Sequence, residues 1–193
     1  MGITSFYFLC FFAGILVIYY MIPGKCQWPF LLLCSILYYL LTDNGILILY
    51  PLASAAVCYG GIRALSGTED EKKRKFALAA VIALNVGILF LLKYINFVIY
   101  TVNGIASLSG YQGTLLRGLN LLVPLGVSFY TFSLLGYVID VYYGIATPQR
   151  NFGKLALYGM YFPAMISGPI LQYRECGEQF FERHAFDYGK VTS

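Results

Sequence analysis

Gly126, Tyr130, Ser133, Tyr137, Asp140 and Gly144 follow one another at spacings of four and three within one apolar stretch. At about 100° per residue these positions fall on a single stripe of a helix. Val127, Leu134, Leu135, Val138 and Val141 occupy its other side. Polar groups at membrane depth are costly. The stripe therefore serves either a tight helix–helix seam with hydroxyls as glue or the wall of a wet cavity. Asp140 lies near one end and is expected to pair with a cation such as Arg150, Lys154 or Arg174.

Other polar groups are scattered through apolar sequence. Lys93 sits well inside an apolar run, where its stem could snorkel outward. Asn85 and Asn96 fall within about 20° of each other if one helix carries both, and interhelical hydrogen bonding accounts for them. Pro163 and Pro169, with Gly168 between them, forbid a regular helix. Such backbone survives in a membrane only where protein or a wet cavity satisfies it. The segment is expected to be buried or re-entrant, the alternative being a kinked span. His184, the single histidine, lies in polar sequence without an obvious nucleophile or carboxylate partner and reads as an interfacial residue. No GxSxG, P-loop, HExxH or GxGxxG pattern occurs. The cysteines (Cys10, Cys26, Cys34, Cys58 and Cys176) show no CxxC spacing, which argues against a disulfide framework or a zinc site. No metal and no bound cofactor is expected.

These residues need elements to hold them, and composition says which. Hydrophobic residues make up 59% of 193 and charged residues 11%, against about a quarter charged in soluble domains. Too few charges remain to solvate a globular surface, so the chain must face lipid. About six hydrophobic segments emerge when about 20 apolar residues are required for a crossing. They run over 3–22, 28–42, 45–65, 77–100, 119–143 and 155–171, the last short and broken. Thr42-Asp43-Asn44-Gly45 reads as a turn. The fold class is therefore all-α, a polytopic integral membrane protein with one transmembrane domain over 1–193. The charged run Glu69–Lys75 reads as a cytoplasmic loop under the positive-inside rule. Counting outward from it places Lys25, Arg150 and Lys154 inside, and Asp43 and the N-terminus outside. The net charge of +4 is a topology signal, and no nucleic-acid partner is implied. Residues 178–187 mix charge with Phe180, Phe181 and Phe186, as an interfacial amphipathic helix does.

Three motifs in order resemble a known family. Leu122-Val123-Pro124-Leu125-Gly126-Val127-Ser128-Phe129-Tyr130-Thr131-Phe132, continuing through Gly136-Tyr137-Val138-Ile139-Asp140-Val141-Tyr142, resembles a hallmark of the membrane-bound O-acyltransferases. It is most similar to the branch holding alginate O-acetyltransferase and the D-alanyl transfer protein of teichoic acids. Lys93-Tyr94-Ile95-Asn96-Phe97 is similar to a KYxNF element of that branch. Phe162-Pro163, with Ser167-Gly168-Pro169-Ile170 and Tyr173-Arg174, resembles its FPxxxxGPIxxYR element.

The resemblance implies a helical funnel around a re-entrant layer, in which an acyl group passes to a hydroxyl across the cell membrane. Its substrate donor would be an acyl-CoA or an acyl-carrier thioester. Its acceptor would be an extracytoplasmic polysaccharide, reached through a partner acyltransferase outside the lipid bilayer. Funnel candidates are Ser128, Tyr130, Ser133, Tyr137, Asp140, Pro163, Ser167, Gly168, Pro169 and Arg174; Lys93, Asn96 and His184 are secondary. The family's essential histidine lies in a later hydrophobic segment, and members run to more than twice this length. His184 is not at that position, so the catalytic histidine is expected beyond Ser193. The sequence thus reads as an N-terminal fragment without a catalytic residue, inactive alone. A transporter or channel would also use broken helices and midplane polar groups, although no internal repeat is evident. A non-catalytic scaffold is the third reading, for a natural chain that ends at Ser193.

Overall fold

The computed structural model describes residues 6–42, 45–108, 117–119, 121–167, 172–177 and 179–181. Among them every regular element is helical. The helices are α1 (Phe6–Met21), α2 (Gly24–Thr42), α3 (Leu49–Ser66), α4 (Glu71–Lys93), α5 (Ile95–Leu108), α6 (Val127–Tyr142), α7 (Phe152–Met160), α8 (Phe162–Ser167) and α9 (Tyr173–Cys176). A 3-10 turn over Gly45–Ile48 leads into α3. Two helical segments, Gly45–Ser66 and Glu71–Lys93, are long and apolar enough to cross a membrane.

Three segment boundaries differ from the sequence reading, each for a local reason. Only Glu69 and Asp70 of the charged run stay in the loop; residues 71–75 open α4. Asp70 caps α4 by accepting from Lys72 N at 3.0 Å, and Lys75 pairs with Glu71 at 2.7 Å one turn apart. These contacts extend the helix back through the charges. The apolar run 77–100 is two helices rather than one, because the backbone breaks at Tyr94. Asn85 and Asn96 therefore belong to different helices. The run 119–143 becomes helical only at Val127. Pro124 lacks a donor, and Gly126 adopts a left-handed φ of 69°, which glycine tolerates without a Cβ clash. The last segment is broken at Tyr161, between α7 and α8, but Pro163 does not itself forbid a helix: it sits in the first turn of α8, where its missing N–H has no helical partner to lose. Gly168 and Pro169 lie outside the described residues. Asp43, Asn44 and residues 182–193, from the end of the amphipathic stretch to Ser193, lie outside the described residues.

Helix α3 lies at the centre, packed against α4, α6 and α7, while α2 covers α7. Its inward positions Ser54, Ala55, Cys58, Gly61, Ile62 and Leu65 are all buried. Small residues let neighbouring backbones approach closely. A Cβ on Gly61 would lie 2.3 Å from Val81 Cγ2. Asn85 of α4 fills the same seam, donating to Val81 O at 3.0 Å and accepting from Ser54 Oγ. One buried amide thus ties α3 to α4.

Helices α4 and α6 run antiparallel, with a hydrogen bond near each end. Arg74 Nη2 donates to Tyr142 O at 2.8 Å, and Lys93 Nζ donates to Ser128 Oγ at 3.2 Å. By helical rise Arg74 and Lys93 stand about 28 Å apart. Helix α7 sits close to α6 because Gly159 meets Leu134, where a Cβ would find side-chain atoms at 3.0–3.2 Å.

Gly61→Ala should therefore weaken the α3–α4 seam by about 1–3 kcal/mol, the usual cost of overpacking a tight contact. The additional change Val81→Ala should recover most of that loss. Unfolding midpoints of the purified variants in mixed micelles measure both effects.

Candidate functional site

The polar stripe of α6 has two jobs, divided by height. Tyr130 is 1% exposed and packs with Tyr39, Leu89, Leu92 and Met160. Its hydroxyl has no hydrogen-bond partner among the described residues. Further along, Ser133, Gly136, Tyr137 and Asp140 line a partly open cavity of about 250 Å³ together with Phe132, Tyr158, Gln172 and Tyr173. Seam and cavity wall, the two uses the spacing allowed, thus both occur on one helix.

Three tyrosines from three helices build this cavity. The rings of Tyr137 and Tyr173 stack with centroids 3.9 Å apart. Tyr158 meets Tyr173 edge-on at 5.0 Å and Tyr137 at 6.1 Å. Their hydroxyls point to fixed partners. Tyr137 donates to Thr147 O at 2.8 Å and accepts from Gln149 N at 2.7 Å. Gln149 Nε2 donates to Tyr173 Oη at 3.0 Å, and Tyr158 donates to Ser133 O at 3.3 Å. Ser133 Oγ is the exception: the residue is 1% exposed, and this oxygen has no hydrogen-bond partner among the described residues.

Asp140 is half-buried on the cavity wall. Its expected pairing with Arg150, Lys154 or Arg174 does not occur. Among the described residues the ion pairs are Lys73–Asp70 and Lys75–Glu71. Lys154 Nζ instead lies 4.3 Å from the Phe181 ring centroid and 6.0 Å from that of Trp28. Cation–aromatic attraction offers it a site without a carboxylate. Arg150 accepts from Tyr59 Oη through its backbone oxygen, at 2.8 Å, and its side chain faces a neighbouring cavity.

That second region surrounds the loop 145–150. Cavities of about 410, 530 and 430 Å³ adjoin it, walled in turn by Arg174, by Arg63 with Arg150, and by Arg74. None of these arginines is in an ion pair among the described residues. Tyr173 lines both the 410 Å³ cavity and the 250 Å³ cavity.

The remaining candidates lie elsewhere. Ser128 and Lys93 meet each other at the opposite end of α6. Asn96 holds Leu119 through both amide atoms, donating to its O at 2.7 Å and accepting from its N at 2.8 Å. Pro163 is half-buried next to Phe162, which is 1% exposed and packs on Phe8, Phe11, Phe12 and Tyr38. Ser167 is placed as the last residue of α8. Gly168, Pro169, His184 and Ser193 lie outside the described residues, and the histidine expected beyond Ser193 lies outside the sequence itself. Sequence reasoning missed Tyr158, Gln149 and Thr147. The first two could have been flagged as polar residues next to apolar helix, whereas Thr147 acts through its carbonyl and leaves no side-chain signal.

The arrangement explains why two of the motifs belong together. Tyr173 of the third motif docks directly on Tyr137 of the first. No protein-family model matches the chain, and no solved structure matches it. Curated proteins do. The chain is 29% identical over 188 residues to the probable alginate O-acetylase AlgI of Azotobacter vinelandii, covering 96% of this chain and 36% of that protein. It is 30% identical over 188 residues to the protein of the same description from Pseudomonas syringae pv. tomato, covering 96% and 35%. The chain is a relative of the alginate O-acetylases. Pseudomonas aeruginosa has another, 29% identical with the same coverage of 96% and 35%. The chain spans about a third of the length of the O-acetylases it matches. The similarity extends over nearly all of the chain, well beyond the three motifs.

Tyr173→Ala should loosen the docking of α9, whereas Tyr173→Phe keeps the ring stack. An aromatic pair is worth about 0.5–1.5 kcal/mol, so the undocked population should rise by about two- to tenfold. Limited trypsin cleavage after the exposed Arg174 reads this directly, with the alanine variant cut faster than the phenylalanine variant.

Proposed function

We propose that this chain is part of a multi-pass membrane O-acyltransferase. Its reaction is acetyl transfer to hydroxyls of an extracytoplasmic polysaccharide. The observation that carries the reading is the similarity to alginate O-acetylases over 96% of the chain. The fold supports it. The hydrogen bonds of Arg74 and Lys93 to α6 stand about 28 Å apart by helical rise, close to the hydrocarbon thickness of about 30 Å. The arginines around the loop 145–150 then mark the cytoplasmic side, and the N-terminus lies outside, with about six apolar segments in all.

In this reading the 193 residues form one domain that contributes the wall of the substrate funnel. The donor is an acyl-CoA or acyl-carrier thioester, approaching from the arginine-lined end. A base deprotonates the acceptor hydroxyl for attack on the donor carbonyl. That base is a histidine beyond Ser193, and an extracytoplasmic partner acyltransferase presents or extends the polysaccharide. The tyrosine cluster positions the wall, and Tyr173 borders both the arginine-lined vestibule and the inner cavity.

The test uses the full-length gene product in a host stripped of its own O-acetylase. Membranes given labelled acetyl donor should place alkali-labile acetyl ester on the polysaccharide. Gly136→Leu, which pushes a side chain into the inner cavity, should lower the rate by about tenfold or more through misplaced substrate. Substrate flux in proteoliposomes with no acetyl ester formed would replace this reading by a transporter.

A further inference from the structure

Two of the arginines around the loop 145–150 share one open cleft. It has a volume of about 530 Å³ and lies between the end of α3 and the segment before α7, with Arg63 and Arg150 in its lining. Both arginines are exposed, and neither is in an ion pair among the described residues. No carboxylate is found among the residues that line the cleft. Arg74 lines the adjoining cavity, which shares Ser66 and Pro148 with this one, and adds to the positive field.

Tyr59 holds the two walls together. The Arg63 guanidinium carbon lies 5.9 Å from the centroid of its ring, and its hydroxyl donates to Arg150 O at 2.8 Å. Phe152 meets the same ring edge-on at 5.7 Å. One side chain thus sets Arg63 by its face and the Arg150 backbone by its hydroxyl. Two like charges on one cleft repel each other, so the cleft favours an anion between them. Guanidinium forks match phosphate oxygens in geometry as well as charge. Arg63 also lies in the last turn of α3, where a cation is favoured by the helix dipole. That role uses its charge and leaves its donors for a ligand.

The surface of α3 below Arg63 favours one source of phosphate. Ala53, Ala56, Gly60 and Arg63 are all exposed and follow one another at spacings of three and four, so they share one outward stripe. A Cβ at Gly60 would meet nothing within 4 Å. The stripe is therefore a smooth apolar track that ends at a guanidinium. From Ala53 to Arg63 it runs about 15 Å by helical rise, half of the hydrocarbon thickness of about 30 Å. That is the depth of one leaflet. A soluble phosphate has no use for such a track, whereas a phospholipid lays a chain along it and brings its phosphate to Arg63. Basic pockets between helices on the cytoplasmic side are where anionic headgroups bind.

We propose that the cleft between α3 and the start of α7 binds the phosphate of an anionic phospholipid. Arg63 and Arg150 clamp the phosphate, Tyr59 positions both, and the stripe over 53–60 carries an acyl chain. The site rests on the membrane placement proposed above but not on acyl transfer, and its test reads lipid binding alone.

The full-length gene product is purified in mild detergent with equal amounts of phosphatidylglycerol and phosphatidylcholine of matched chains. Native mass spectrometry counts the lipid retained. Phosphatidylglycerol should be retained about tenfold over phosphatidylcholine. Arg63→Gln and Arg150→Gln should each lower that preference about fivefold, and the double variant should abolish it. Arg117→Gln should leave it unchanged, because that exposed arginine lies beside Leu119, which is held by Asn96 near the other end of α4. Gly60→Trp blocks the track without touching either arginine and should reduce the retained phosphatidylglycerol. Equal retention of the two lipids by the unaltered protein overturns the proposal, as does a preference that the cleft variants leave untouched or that Arg117→Gln lowers equally. Displacement of the lipid by inorganic phosphate, with no effect of Gly60→Trp, overturns it in favour of a soluble phosphate. The comparison of lipids needs no substitution, so it stands even if a variant misfolds.

Discussion

Close approach of helices along the small-residue face of α3 is the contact on which the rest of the fold is built. Where the surroundings are as apolar as the side chains, burial gives little drive for helices to associate, and tight packing with a few hydrogen bonds must do it. Ser54, Ala55, Cys58 and Gly61 supply the necessary smoothness. Val81 settles against Gly61, and Asn85 reaches across to Ser54. With α4 seated, its antiparallel neighbour α6 is fixed at both ends by Arg74 and Lys93. Helix α7 follows because Gly159 lets it close on Leu134.

Interruptions in the helices matter as much as the helices. Pro124 and Gly126 delay the start of α6, and the break at Tyr161 turns the chain from α7 into α8. Each interruption exposes backbone groups that need partners. Tyr39 donates to Leu125 O, and Ser35 Oγ accepts from Phe162 N at 3.4 Å. Polar side chains of α2 thus satisfy the two breaks that shape the α6–α8 region. Among these helices Tyr173 braces the tyrosine cluster and borders two cavities.

The sequence by itself carried the apolar composition, the existence of the helices and the resemblance to the O-acyltransferases. Composition leaves too few charges for a soluble surface, a four-and-three spacing can be satisfied only by a helix, and the three motifs are specific enough to be recognised. It also marked the last segment as broken, since proline's missing donor is a local property, while the place of the break, at Tyr161, came from the fold. Tertiary structure alone decided what the polar residues do. Tyr130 and Ser133 share a stripe, yet one packs against helices α2 and α4 and the other is buried at the edge of a cavity, a difference set by neighbours distant in sequence. Asp140 was read as paired because cations lie near it in the chain. Lys154 went instead to aromatic rings that only folding brings within reach, and the carboxylate was left facing the cavity. Spacing fixes which face of a helix a residue occupies, whereas the partner on that face depends on how the other helices pack.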